Sequence, residues 1–155
     1  MRRIFAAVLA AICLLSLSAC GGKKADAPWK TSAVQTVEKA DAFSEELEEL
    51  DGDTAFLLYA LADQGLSRED LTDCAVLRSA GATCEECAVL IFSGPEQAAK
   101  AETAMKDYVQ SQIEENRDYR PDDIPKLENA VLSLRENTLL LIVAADTKAA
   151  EAALS

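Results

Sequence analysis

The chain is predicted to form an α+β domain built on a four-stranded antiparallel sheet, and three observations lead to that reading. Two pairs of β-prone runs, Cys74–Arg78 with Cys87–Phe92 and Ala130–Leu134 with Thr138–Ala144, each flank a compact turn. Between the pairs lies one long segment with helical periodicity. The run Leu139–Val143 is apolar throughout, which places it inside the sheet with both faces covered. The expected order is N-terminal helices followed by ββαββα, with the helices packed on one side of the sheet.

The chain opens with Arg2-Arg3 and an apolar stretch from Ile4 to Leu17, then Leu17-Ser18-Ala19-Cys20 and Gly21-Gly22. A basic start, a short greasy segment and small residues at the cut make a secretory signal. The apolar run is shorter than the roughly 20 residues a spanning helix needs. With cysteine at the first mature position, the tetrapeptide resembles a bacterial lipobox. That resemblance implies cleavage before Cys20, a diacylglycerol on its thiol, and a protein tethered to the outer face of the cell membrane. The expected divisions are a signal peptide at 1–19, a lipidated tether at 20–30 and one α+β domain at 31–155. Trp29 falls in the tether, where it either meets the membrane interface or packs on the domain.

Loss of residues 1–19 removes two arginines and no acids, taking the formal net charge from −12 to −14. So acidic a chain is repelled by nucleic acid and by anionic lipid, so no nucleic-acid partner is expected and the membrane is reached through lipid on Cys20. The length suits one domain with a single modest core. Histidine is absent from all 155 residues. Ser-His-Asp and Cys-His catalysis and most zinc hydrolase sites are excluded with it.

Within the domain, Val34, Val37, Ala40 and Phe43 recur at helical spacing and lead into the acid-rich Ser44–Leu50 run, read as a continuing helix with a solvated face. Asp51-Gly52-Asp53 is a turn; it lacks the further oxygen ligands of a calcium loop. Asp53 or Thr54 should then cap a helix over Ala55–Leu61. The first hairpin turns around Ala80-Gly81-Ala82. Gly94-Pro95-Glu96 starts the long helix, with Ala98, Ala101, Met105, Tyr108, Val109 and Ile113 along one face. A polar turn follows at Asp118–Asp123, and Pro125 comes shortly after. The second hairpin turns at Glu136-Asn137, and Asp146-Thr147 caps a final alanine-rich helix. The tyrosines 59, 108 and 119 are read as core or rim aromatics.

Several of these features occur together: the acid-rich run, Tyr59 before Leu61, Glu85-Glu86-Cys87-Ala88-Val89, the Gly94-Pro95 helix, Asp118-Tyr119-Arg120-Pro121, Pro125 to Ala130, and Leu139–Val143 with its Asp146 helix. As a set they resemble an uncharacterised family of small lipoproteins from Clostridia-like bacteria, known only as a domain of unknown function. The resemblance spans roughly residues 31–155. It implies a lipoprotein with an α+β fold and brings no catalytic residues with it.

Cys84-Glu85-Glu86-Cys87 is the one spacing with a chemical reputation. Redox CxxC pairs sit at a helix N-terminus, where the thiol pKa falls. Here the motif leads into a strand and encloses two carboxylates, which raise a thiol pKa. Adding Cys74 gives three thiols but no fourth ligand for zinc, so neither a metal nor another cofactor is expected. A hairpin turning near 79–82 would set Cys74 opposite Cys87, making these two the pair for any disulfide, with Cys84 free. The expected role is non-catalytic: binding, or assembly with another envelope protein. The rival reading is a thiol- or carboxylate-dependent envelope enzyme.

Overall fold

The computed structural model describes residues 27–155. Cys20 and the signal segment before it lie outside the described residues. Helix α1 spans Ser32–Glu38 and buries Ala33, Val34 and Val37, one stripe at helical spacing. It ends early, and Asp41 takes a left-handed backbone with φ of 53°.

The acid-rich run that follows is not helical. Glu48–Leu50 is an extended strand, β1, paired antiparallel with Val76–Arg78. Glutamate's helical preference amounts to a few tenths of a kcal/mol per residue. Main-chain groups along the outer side of the next strand need partners, and tertiary pairing overrides that small preference. The sheet therefore has five strands rather than the expected four.

Helix α2 covers Gly52–Leu58, three residues earlier than expected at each end, because Asp51 is its cap. The Asp51 carboxylate accepts from the Thr54 amide at 2.8 Å, satisfying one of the donors a helix start leaves open. The Asp51-Gly52-Asp53 turn is thus the start of α2. Strands β2 (Leu71–Arg78) and β3 (Glu86–Phe92) form the first hairpin, and helix α3, Pro95–Asn116, starts at the predicted Gly94-Pro95 and carries the expected apolar face. After it comes a 3-10 turn at Pro121–Asp123, within the polar turn expected at Asp118–Asp123, and a short helix α4, Ile124–Glu128, where no element was expected. Strands β4 (Val131–Arg135) and β5 (Thr138–Val143) form the second hairpin around Glu136-Asn137. Asp146 caps α5 (Thr147–Ala153) by accepting from Ala149 N at 2.9 Å.

The strand order is β1-β2-β3-β5-β4, every neighbour antiparallel. All six residues of β5 are buried. Strand alternation sends Leu139, Leu141 and Val143 to one face and Leu140 and Ile142 to the other. The first set joins Tyr59, Phe92, Met105 and Leu127 under α2, α3 and α4. The second joins Val34, Val37, Cys87, Val89 and Ala150 under α1 and α5. Helices therefore cover both faces, correcting the one-sided packing expected. An interior strand apolar on both faces requires that arrangement, because an open face would leave Leu140 and Ile142 in water at about 1.5–3 kcal/mol each.

Candidate functional site

Alternation along β3 decides what each residue of Cys84-Glu85-Glu86-Cys87 can do. Glu86 shares its face with Ala88 and Leu90, beneath α2 and α3, while Cys87 points the other way with Val89, beneath α1 and α5. Glu86 as a residue is only 1% exposed. Tyr59 donates its hydroxyl to one oxygen, and Tyr108 donates to the other at 2.7 Å. The Arg78 guanidinium stands 3.6 Å from that second oxygen and also donates to the Tyr108 hydroxyl at 3.3 Å. The two rings meet edge to face with centroids 5.1 Å apart. Burial pushes the Glu86 carboxyl above its ordinary value despite these donors. Burial, together with the neighbouring carboxylate, raises both tyrosine hydroxyls well above theirs.

Over this network lies an open cleft of about 320 Å³, between α3 and the segment that leaves α2. Tyr59 and Tyr108 belong to its lining, and Asp63, Asp107 and Glu115 rim it. Those three carboxylates are exposed. No lysine or arginine is among the described residues that line it. Ala60, also in the lining, holds a left-handed backbone (φ 49°, ψ 40°) that lets the chain turn from α2 into the 3-10 turn Leu61–Gln64. A β-carbon makes that conformation cost on the order of 1–2 kcal/mol.

Glu85 is buried at the end of the sheet in a separate cluster. It accepts from Ser44 N at 2.7 Å, Ser44 Oγ at 2.6 Å and Lys126 Nζ at 2.7 Å. Lys126 also reaches Asp123 at 2.8 Å, and Asp123 accepts from the Cys84 amide at 3.0 Å. Burial pulls the Lys126 ammonium down, but Asp123 and Glu85 more than offset it and hold it above its ordinary value. Among the described residues, no buried side-chain nitrogen or oxygen lacks a hydrogen-bond partner. Each of those side-chain groups taken out of water is thus compensated within the fold.

The thiols are not assembled. Cys74 sits opposite Leu90 and Cys87 opposite Leu77. The hairpin closes on Arg78 and Glu86, so its loop is longer than expected, and Cys87 lies three residues along β3 from the position facing Cys74. Three residues of strand are about 10 Å, and an odd offset turns the side chains to opposite faces. That corrects the Cys74–Cys87 pairing. All three are free thiols. Burial pushes each above its ordinary value, Cys87 up to about 12. No group of three or more cysteine, aspartate or glutamate residues among those described is placed to hold a metal ion. Mild oxidation of the folded protein, followed by mass mapping, should therefore yield no Cys74–Cys87 bridge, and Cys87 should react with a thiol reagent only after denaturation. A native Cys74–Cys87 bridge would show that the β2–β3 register is wrong.

Trp29 packs on the domain. Its Nε1 donates to Ser133 O at 3.1 Å, its amide donates to Thr138 Oγ1 at 2.8 Å, and the Arg135 guanidinium lies over the ring, 3.4 Å from its centroid. The lead is therefore secured from Trp29 onward, against the β4–β5 hairpin.

Sequence reasoning missed the union of Tyr59, Tyr108, Arg78 and Glu86. A signal was present: an acid beside Cys87-Ala88-Val89-Leu90 in an inward-facing strand position needs donors. Tyr108, a polar-tipped ring in the apolar stripe of α3, is a natural donor. The described residues define a three-layer α+β domain, helices on both sides of an antiparallel sheet, with an acid-rimmed cleft over a closed polar network. Comparison with protein-family models, with curated proteins and with solved structures finds no match to this chain.

Proposed function

We propose that this protein is a lipid-anchored, extracytoplasmic binding domain, of the small lipoprotein kind its sequence resembles, that takes a cationic group of an envelope partner into the α2–α3 cleft. The observation that carries the reading is the cleft itself: three carboxylates at its rim, no cation in its lining, and tyrosines below. Carboxylates draw ammonium or guanidinium groups, and the half-buried Tyr108 ring offers a face for cation–π attraction worth about 0.5–2 kcal/mol. Tyr59 and Tyr108 are held by the Glu86 carboxylate, so the floor is rigid before a ligand arrives. A non-catalytic role accords with the state of the titratable groups. The thiols are pushed toward their protonated, unreactive forms, and Glu86 is enclosed by its donors.

The test uses the full chain in isolated membranes with a lysine-rich peptide as probe. Asp63→Asn, Asp107→Asn and Glu115→Gln together should weaken binding at least tenfold and flatten its salt dependence, while melting stays unchanged. Equal binding by the triple variant refutes the cleft. The anchor is tested apart from it. Cys20→Ala should release the protein or leave it unprocessed, and mature-sized Cys20→Ala protein firmly in the membrane would refute lipidation.

A further inference from the structure

The sheet has two outer strands, and they are unlike. Strand β1 is three residues long and carries exposed Glu48 and Glu49, the short charged edge that resists pairing with another chain. Strand β4 reads Val-Leu-Ser-Leu-Arg, holds five residues without proline, and pairs with β5 without a bulge. Arg135 is its one charged residue, and the Ala27–Trp29 segment lies over the face that carries Ser133 and Arg135, leaving the opposite face with Leu132 and Leu134 uncovered by that segment. A two-residue turn closes on a hydrogen-bonded pair, here Arg135 and Thr138. Alternation then directs the main-chain groups of Arg135, Ser133 and Val131 toward β5, and those of Leu132 and Leu134 outward. Beside them, on the α3–α4 face, a groove of about 260 Å³ includes Val109, Ile113, Leu127 and Leu132 in its lining, with Lys106 and Glu128 of opposite charge also lining it, and the neighbouring Leu134 is 36% exposed.

We infer that β4 is the docking edge for a second copy of this chain, joined antiparallel about a two-fold axis at Ser133. The strand is self-complementary in that register. Leu132 of one copy falls opposite Leu134 of the other, twice, so the outward main-chain groups pair and each exposed Leu134 is covered by the partly buried Leu132 of the other copy beside the two grooves. On the other face Arg135 meets Val131 and Ser133 meets Ser133, so no like charges are opposed. In a chain of net charge −12, a contact between copies needs a carboxylate-free seam. Strand β4 has no acid, and Glu136 would fall opposite Ala130. Such an axis stands perpendicular to the sheet and keeps equivalent faces together. Trp29 and Ala27, held by Ser133 and Arg135, therefore lie on the same face in both copies.

The test uses the full chain in isolated membranes. Facing Ser133 residues would form a non-hydrogen-bonded pair, about 4.5 Å between Cα atoms, within disulfide range. Ser133→Cys under mild oxidation should give a covalent dimer on a non-reducing gel, against wild-type protein carrying only Cys74, Cys84 and Cys87. Adding Leu134→Lys, an exposed position that leaves melting unchanged, should reduce that dimer at least tenfold. Sedimentation of detergent-extracted wild-type protein should give a dimer mass, and of Leu134→Lys a monomer mass. A monomeric wild type overturns the inference, as does a dimer that Leu134→Lys leaves intact.

Discussion

Replacing Leu141 with aspartate should abolish cooperative folding. Leu141 is fully buried in β5, flanked by Ala88 on β3 and Leu132 on β4. Losing the leucine forfeits about 1.5–3 kcal/mol of apolar burial. A carboxylate placed there has no cation facing it in the Leu139, Val143, Ala88 and Leu90 cluster, and an unpaired interior charge costs several kcal/mol more. The sum reaches the whole stability of a small domain, about 5–15 kcal/mol. Leu141→Ala, which leaves a cavity and no charge, should cost about 2–5 kcal/mol and still unfold cooperatively. Circular dichroism during urea titration separates the two variants. A Leu141→Asp protein with near wild-type melting would refute the two-sided burial of β5.

The second large effect should come from Glu86. Glu86→Ala removes the acceptor of two tyrosine hydroxyls, one of them fully buried, and should cost about 3–5 kcal/mol, as expected when one member of a buried polar pair is removed. Tyr59→Phe, which strips a single donor from the carboxylate, should cost about 1–3 kcal/mol. The two losses should be strongly non-additive, because they share one hydrogen bond. A pH series adds a sign. Burial holds the folded carboxyl above its ordinary 4.5, so the fold favours the protonated form. Its contribution, measured against Glu86→Gln, is full below that ordinary value and is lost as pH rises through the folded one. A wild-type advantage over Glu86→Gln that grows with rising pH would contradict the dominance of burial.

Local signals were legible where one interaction range decided the outcome. Gly94-Pro95-Glu96 and the apolar stripe from Ala98 onward marked α3, because capping and helical periodicity lie within the segment. The Asp146 cap and the Glu136-Asn137 turn were equally plain. The acid-rich Glu48–Leu50 was misread because its state is set by the open edge of β2, far along the chain. The hairpin register was missed because the apolar runs mark where strands lie but not which residue faces which. A loop three residues longer than the expected one moved Cys74 and Cys87 apart.

The sequence by itself determined the α+β class, the two hairpins, the long helix between them, and a β5 covered on both faces. Each follows from short-range propensity or from the apolarity of a single run. The fifth strand, the assignment of α2, α3 and α4 to one face and α1 and α5 to the other, the Arg78–Glu86–Tyr59–Tyr108 network and the acid-rimmed cleft were decided only by tertiary structure. Each joins residues from different elements, and desolvation and pairing energies arise only when folding removes them from water together.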